Sequence, residues 1–437
     1  MSGQKNSGNI PAIIICILLF GMISFVTGLA NPMGVIVKNQ FEATNFMATL
    51  GNFANFLAYA FMGIPAGNLL NKYGYKKTAL AAVTVGFVGV GIQYLSGVTS
   101  SFAVYLTGAF VAGFSMCMLN TVVNPLLNTL GGGGNKGNQF IQIGGTFNSL
   151  NATIVPVLVG YLMGNAANAT IKDANPALFI AMGIFAAAFI ILAVSRIPEP
   201  ILELRKEKEA KGIKDEKISY GTLFKFRHYV LGILAIFAYI GVELGIPNIV
   251  LLYLTETPDK GGFGMVAAAA GSVAGTYWFL MMIGRLIGAS IGGKVSSKAM
   301  LTTVAVVGLI LVTVAIFSPL TSVVKMPVFE GGGSLSFGMA EVPMSVMLLI
   351  LGGLCTSVMW GVIFNLAVEG IGKYTAIGSG VFMVMVVGGG IFPTVQGLIA
   401  DAFSYMTSYW IVVALLAYIL YYALIGCKNV NKNIKVD

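Results

Sequence analysis

LNTVVNPLLNTLGGGGNKGNQFIQIGGTFNSLNATIVPVLVG, residues 119–160, is the stretch that decides how the chain is read. It lies in a sequence that is 57% hydrophobic and 9% charged, and apolar segments flank it. Yet it carries one asparagine after another. Asn120, Asn124 and Asn128 recur at i, i+4 and i+8. In a single helix over 101–130 all three share a face. A Gly-rich break follows, and then a second apolar helix bears Gln142, Asn148 and Asn151. An uncharged amide inside a membrane segment is costly unless it finds a partner. Each amide offers donors and acceptors together, which suits a ligand made of hydroxyls. Taken singly, such a residue commonly ties helix to helix. The clustering of so many in two consecutive helices points instead to a ligand.

The surrounding composition sets the class. A mean hydropathy of +0.87 excludes an ordinary soluble protein. The 437 residues suffice for about a dozen membrane helices of ~20 residues or more with short loops. The apolar runs predict helices near 11–38, 45–71, 76–97, 101–130, 139–164, 174–196, 229–256, 264–294, 299–318, 343–371, 374–402 and 406–426. Met1–Asn9 is polar and the apolar run behind it is far longer than a signal-peptide core, so no removable signal is expected. In this scheme Lys5, Lys72, Lys76, Lys77, Lys136, the 196–227 segment, Lys294, Lys298, Lys373, Lys428, Lys432 and Lys435 fall on one side. Only Lys38, Lys172, Lys260 and Lys325 fall on the other. Basic residues favour the cytoplasmic side, so both termini are expected in the cytoplasm, with the chain in the cytoplasmic (inner) membrane. One helix more or fewer would scramble the asymmetry.

The same bias explains the net charge of +9, and no nucleic acid is expected as a partner. Cys16, Cys117, Cys355 and Cys427 show no metal or disulfide spacing and read as small apolar residues. His228, the single histidine, falls at the cytoplasmic start of helix seven and reads as interfacial. No clustered His, Cys or carboxylate set and no nucleophile with a base stands out, so neither an enzyme nor a cofactor is expected.

Along the chain, helix one carries Asn31-Pro32 between Gly28 and Gly34. Proline removes a donor and frees carbonyls, a break tolerated at depth where it lines a cavity or packs on protein. Helix two carries Asn52, Asn55 and Tyr59, then Gly63, Ala66 and Gly67, which permit close helix contact. Residues 197–228 are rich in Lys and Glu and have two readings, a surface helix on the cytoplasmic leaflet or, preferred, a plain cytoplasmic linker between halves 1–196 and 229–437. The halves echo one another. Helices four and five read Asn124-Pro125, a Gly-rich turn, GGTFNSL and IVPVLVG, while helices ten and eleven read FNLAVEGIGKYTAIGSG, with Asn365, and then VVGGGIFPTVQGLIAD. Such repeats place a substrate near the midplane between the halves.

Helix seven sets Glu243 and Asn248 on either side of Pro247. Glu256, Asp259, Glu341, Glu369 and Asp401 fall near helix ends, whereas Glu243 lies well inside, where an ionisable group is a functional candidate. Arg285, in IGRLIGA, has two readings, buried in the membrane or, preferred, near the cytoplasmic end of helix eight with a structural or gating role. Trp278 and Trp360 have two readings, stacking on a sugar face or packing.

IPAG on helix two with the basic turn after it, NPLLNTLG on helix four, TFNSL on five, FAYIGVE on seven, IGRLIG on eight, GKYT between ten and eleven and GGGIFP on eleven form one pattern. With it, the chain resembles the fucose–galactose–glucose:H+ symporter family of the major facilitator superfamily over essentially its whole length. The resemblance implies an all-α membrane protein of twelve transmembrane helices in two six-helix halves. It implies alternating access and uptake of a neutral monosaccharide, a hexose or deoxyhexose such as glucose, galactose or fucose, driven by a cation. Proton-coupled members place an Asp in helix one and a Glu in helix four. By the local match those positions are Asn31 and Asn120, and neither can titrate. Asn148 keeps the family's amide on helix five. Glu243 keeps the carboxylate that resembles glucose/galactose-type members and is the remaining candidate for coupling to Na+ or H+. The expected sugar site is Asn31, Asn52, Asn120, Gln142, Asn148, Glu243, Asn248, Trp278, Trp360 and Asn365 in a monomer within the lipid bilayer. Rival readings are an uncoupled sugar facilitator and a transporter of an acetylated amino sugar or other small solute.

Overall fold

A bilayer core forces each crossing segment to satisfy its own backbone groups, and helices of twenty residues or more do so. The computed structural model describes residues 10–40, 45–163, 171–210, 219–330, 336–431, 433–434 and 436. Ten of its stretches are long and apolar enough to cross a membrane. One of them, Phe53–Thr99, is two helices joined at Gly74, and the amide-rich Gly134–Met163 adds another, so the described residues hold twelve spans. They are α1 (Ile10–Gln40), α2 and α3 (45–73 and 75–99), α4 (Phe102–Leu130), α5 (Gly134–Met163) and α6 (Asn175–Val194). After the connecting segment come α7 (Arg227–Thr255), α8 (Ala267–Ile291), α9 (Ser297–Phe317), α10 (Met344–Val368), α11 (Gly372–Ala402) and α12 (Tyr405–Gly426). Large apolar side chains such as Leu18, Phe61, Ile190, Ile310 and Leu398 are more than half exposed, the surface that hydrocarbon covers in an integral membrane protein.

The α2–α3 break is written in one residue. Gly74 sits at φ 81°, ψ −177°, open to glycine alone, and a Cβ there would collide with the Glu199 carboxylate. Glu199 accepts from the backbone N–H of Tyr75 (2.7 Å) and Lys76 (2.8 Å), capping the start of α3. Lys76 Nζ donates to Ala193 and Ser195 carbonyls at the end of α6, 2.8 Å each. Arg205 Nη2 donates to the Asn71 carbonyl (2.9 Å) at the end of α2. The connecting segment is therefore more than the plain linker expected from composition. Pro200–Ala210 is a helix, and Glu199 just before it and Arg205 within it each meet a helix end of opposite partial charge.

Close glycine contacts join the first six helices to the last six along two seams. Gly63 and Gly67 of α2 lie against Gly380 and its neighbours Ala376 and Ile377 in α11. Gly292 and Gly293, at the end of α8, lie against Gln139 of α5. Small residues let helices approach where no hydrophobic force drives them together. α10 is interrupted at Ser357-Val358, between Met344–Thr356 and Met359–Val368. One element lay outside the helical reading: β1 (Val323–Glu330) pairs antiparallel with β2 (Ser336–Pro343), Val328 opposite Gly338. The hairpin rests on the back of α8, where Phe329 N–H donates to Thr276 Oγ1 (2.8 Å) and Phe329 stacks on Phe279 at 5.1 Å. Its signal was Val323, Val324, Val328 and Phe329 ahead of three glycines.

Candidate functional site

α7 brings Glu243 to the inside of the bundle. Tyr239, one turn earlier on the same face, donates its hydroxyl to Glu243 Oε1 at 2.8 Å. Arg285 of α8 comes to the same oxygen, with Nη2 at 3.5 Å. Arg285 is 8% exposed, and a buried guanidinium must have its five donors occupied. Nη1 donates to Ser149 Oγ (2.8 Å) and the Gly145 carbonyl (3.0 Å) of α5, with Asn148 Oδ1 at 3.5 Å. Nε donates to the Ser357 carbonyl, 3.2 Å, at the interruption of α10. One side chain thus spans four helices, α5 from the first six and α7, α8 and α10 from the last six. Glu243 Oε2 has no hydrogen-bond partner among the described residues, and the Glu243 side chain keeps 12% exposure. Asn148 donates through Nδ2 to the Phe20 carbonyl of α1 (3.1 Å).

The α4 amides form a file. Asn120 Nδ2 donates to Tyr59 Oη of α2 (3.0 Å) and to the Met116 carbonyl (3.1 Å). Asn124 Nδ2 donates to the Asn120 carbonyl (2.8 Å), and its Oδ1 accepts from Trp360 Nε1 of α10 (3.0 Å). Trp360 stands edge-on to Tyr239 at 6.4 Å, which links the file to Glu243. Asn128 Nδ2 donates to Asn365 Oδ1 (2.6 Å), and Asn365 Nδ2 donates to Ser297 Oγ (2.9 Å). On α5, Asn138 Nδ2 faces Met300 Sδ (3.7 Å), Gln139 Nε2 donates to the Ala289 carbonyl (2.9 Å), and Gln142 Nε2 donates to the Val358 carbonyl (2.9 Å). These partners sit at the end of α4, the first turns of α5, the end of α8, the start of α9 and, in α10, from its interruption at Val358 to Asn365 near its end. That is the end of the bundle whose turns carry Lys136, Lys294 and Lys373.

The expected site residues therefore separate. Asn148 and Glu243 meet through Arg285, and Asn120 reaches them through Asn124, Trp360 and Tyr239. Gln142 and Asn365 belong to the bonds of the basic end. Trp278 is partly buried, edge-on to Tyr277 at 5.5 Å, and lies two turns before Arg285 on the same face of α8. Asn248 is exposed on α7, apart from the cluster. The side chains of Asn31 and Asn52 lie outside the described residues. Arg285 is the member that sequence reading undervalued. It lies six residues before the end of α8, yet its head is buried between helices rather than at an interface. An arginine inside an apolar run, paired with one carboxylate inside another, was the available signal. Tyr239 and Ser149 were also missed; Tyr239 could have been found four residues before Glu243.

Residues 13–329 match the family model of the Major Facilitator Superfamily. The glucose/galactose transporter of Brucella abortus biovar 1 (strain 9-941) is 28% identical over 98% of this chain and 96% of that protein. The L-fucose-proton symporter of Escherichia coli (strain K12) is 24% identical over 92% of this chain and 89% of that one. A crystal structure of a Major Facilitator Superfamily transporter, FucP, in the outward conformation superposes with a TM-score of 0.74 at 20% identity, covering 94% of this chain and 98% of that chain. This chain belongs to the Major Facilitator Superfamily.

Proposed function

We propose that the chain takes up a neutral monosaccharide, a hexose or deoxyhexose such as glucose, galactose or fucose, by alternating access with cation symport. It is a transporter and not an enzyme, as its family and its relatives are. The relatives' names support the sugar. The observation that carries the assignment is Glu243, buried between α7 and α8 with one carboxylate oxygen bonded and the other open. An open carboxylate oxygen, one neighbour removed from the Asn148 amide through Arg285 and from the Trp360 indole through Tyr239, suits hydroxyl donors on a ring. In this reading Glu243, Asn148, Asn120, Trp360 and Trp278 face the sugar, and Glu243 also takes the cation, Na+ or H+. Residues 1–196 and 229–437 move as two halves joined by 197–228. Both termini lie in the cytoplasm of a cell whose inner membrane holds the monomer, so the bonded end is the cytoplasmic gate, shut in this structure, and sugar enters from the far side.

A second reading has its own support. Asn31 and Asn120 cannot titrate, and Arg285 already balances Glu243. An uncoupled facilitator would look like this. Uptake into proteoliposomes, with a panel of monosaccharides under a Na+ gradient, a pH gradient or none, separates the two. Accumulation only under one ion gradient supports symport. Equilibration without accumulation supports the facilitator. No saturable flux of any monosaccharide ends the sugar reading and turns the search to acetylated amino sugars or other small solutes.

A further inference from the structure

We propose that Arg285 is the positioning residue that converts neutralisation of Glu243 into opening of the basic end. The proposal rests on the reading of Glu243 as the cation-binding carboxylate. A guanidinium keeps its proton in any protein environment, so Arg285 stays charged wherever it is. The groups facing it are Ser149, Asn148 and the Gly145 carbonyl from α5, the Ser357 carbonyl from α10, and Glu243 from α7. Of these only Glu243 carries charge. The titratable neighbours of Glu243 are Tyr239 on its own helix, and Arg285 and Tyr277 on α8. A cation on Glu243, a proton or Na+, therefore leaves Arg285 buried and uncompensated, the arrangement that destabilises a buried pair most.

The route of relief is set by the geometry. Arg285 lies six residues from the basic end of α8, so its head reaches water by parting α8 from α5. Its α5 partners, Gly145 and Ser149, lie along the same helix as Gln139, whose amide bonds the Ala289 carbonyl of α8. Its α10 partner, Ser357, precedes Val358, whose carbonyl takes Gln142. Releasing Arg285 thus loosens two attachments of α5 to the last six helices, Gln139 to Ala289 and Gln142 to Val358. The sign fits symport: with Glu243 charged and empty the basic end is held shut, and with Glu243 occupied it opens.

The test places spin labels at Lys136→Cys and Lys294→Cys, exposed on either side of the gap, with Cys16, Cys117, Cys355 and Cys427 replaced by Ala. Distances are measured in the full chain without sugar, in separate arms of falling pH and rising Na+. Wild type should shift its open-to-closed ratio about tenfold toward open in one of the arms. Arg285→Gln should respond in neither, while Arg285→Lys keeps a response from a weaker closed state. Glu243→Gln should favour the open state equally in both arms while still reaching the closed one, and Glu243→Gln/Arg285→Gln should be no more open than Arg285→Gln alone. A wild type that responds in neither arm, a response that survives in Arg285→Gln, or a double variant that sums the two singles overturns the proposal. Because no sugar is present, failure of sugar uptake sinks the transport reading alone.

Discussion

The bonds between the first and last six helices fall into two regions that differ in how completely their polar groups are used. At the basic end, Asn128 meets Asn365 at 2.6 Å, Gln139 meets the Ala289 carbonyl and Gln142 meets the Val358 carbonyl at 2.9 Å. At mid-depth, Arg285 crosses to Ser149 (2.8 Å) and Gly145 (3.0 Å) of α5 but reaches Asn148, and Glu243 within the last six helices, at only 3.5 Å, and one oxygen of Glu243 has no partner among the described residues. Amides look alike in the sequence at both places. In the proposed reading the saturated ones act as a latch, and the group left with open bonding capacity takes the ligand. The difference is physical: a buried donor already paired has nothing to gain from a sugar hydroxyl, whereas an unpaired carboxylate oxygen gains a charge-assisted bond.

Substitutions can break or sharpen that contrast, from the largest expected effect to the smallest. At the latch, a Cβ on Gly380 would collide with the Gly63 carbonyl and come within 2.7 Å of the Gly67 backbone. Overpacking of this kind costs about 1–3 kcal/mol. Gly380→Val should therefore shift the balance away from the closed basic end by roughly ten- to a hundredfold. Inter-half label distances and net uptake should both show it, in protein that still inserts. At mid-depth, Asn148→Ala should weaken sugar binding about tenfold, on the scale of one hydrogen bond to a charged or polar group. Titration of purified protein with sugar measures this, and an unchanged affinity would remove Asn148 from the site. Gln142→Ala should change the same affinity less than about threefold, because its lost bond belongs to the latch and the Val358 carbonyl still accepts from Val362 N–H. If Gln142→Ala were the more damaging of the two, the contrast would be the wrong way round.

The smallest effect lies outside both regions. Burial raises the Glu199 carboxyl above its ordinary value of 4.5, against the pull of its two backbone N–H donors. A carboxyl raised in the folded state holds its proton more tightly there than in the unfolded chain. Stability from this group is then present at low pH and declines as pH rises from about 4.5 through the raised value. Melting temperatures across that window should fall with pH in wild type and stay flatter in Glu199→Gln, with sugar affinity equal in both.

Much of this was legible before the structure. The lysine asymmetry demanded twelve crossings, and the spacing of Asn120, Asn124 and Asn128 put them on one face of α4. Glu243 stood out because it was a carboxylate far from any helix end. What could not be read was which amides were already engaged. Gln142 is bonded through a carbonyl at the interruption of α10, and no proline marks Ser357-Val358 in advance. Asn365 and Asn128 are 237 residues apart, and nothing local records their meeting. Arg285 was legible as a charge but not as a hub, since its partners come from three other helices. The charges of Glu199 and Arg205 were visible, whereas the helix ends they meet were not.

The central claim is that Glu243 is where solute and cation meet. Glu243→Gln keeps the shape and the Tyr239 bond while removing the charge. Proteoliposomes carrying it, compared with wild type under the ion gradient that drives accumulation, give the most direct measurement. The account predicts that accumulation against a sugar gradient is abolished while exchange or downhill flux persists. Accumulation by Glu243→Gln at the wild-type level under the same gradient would contradict it.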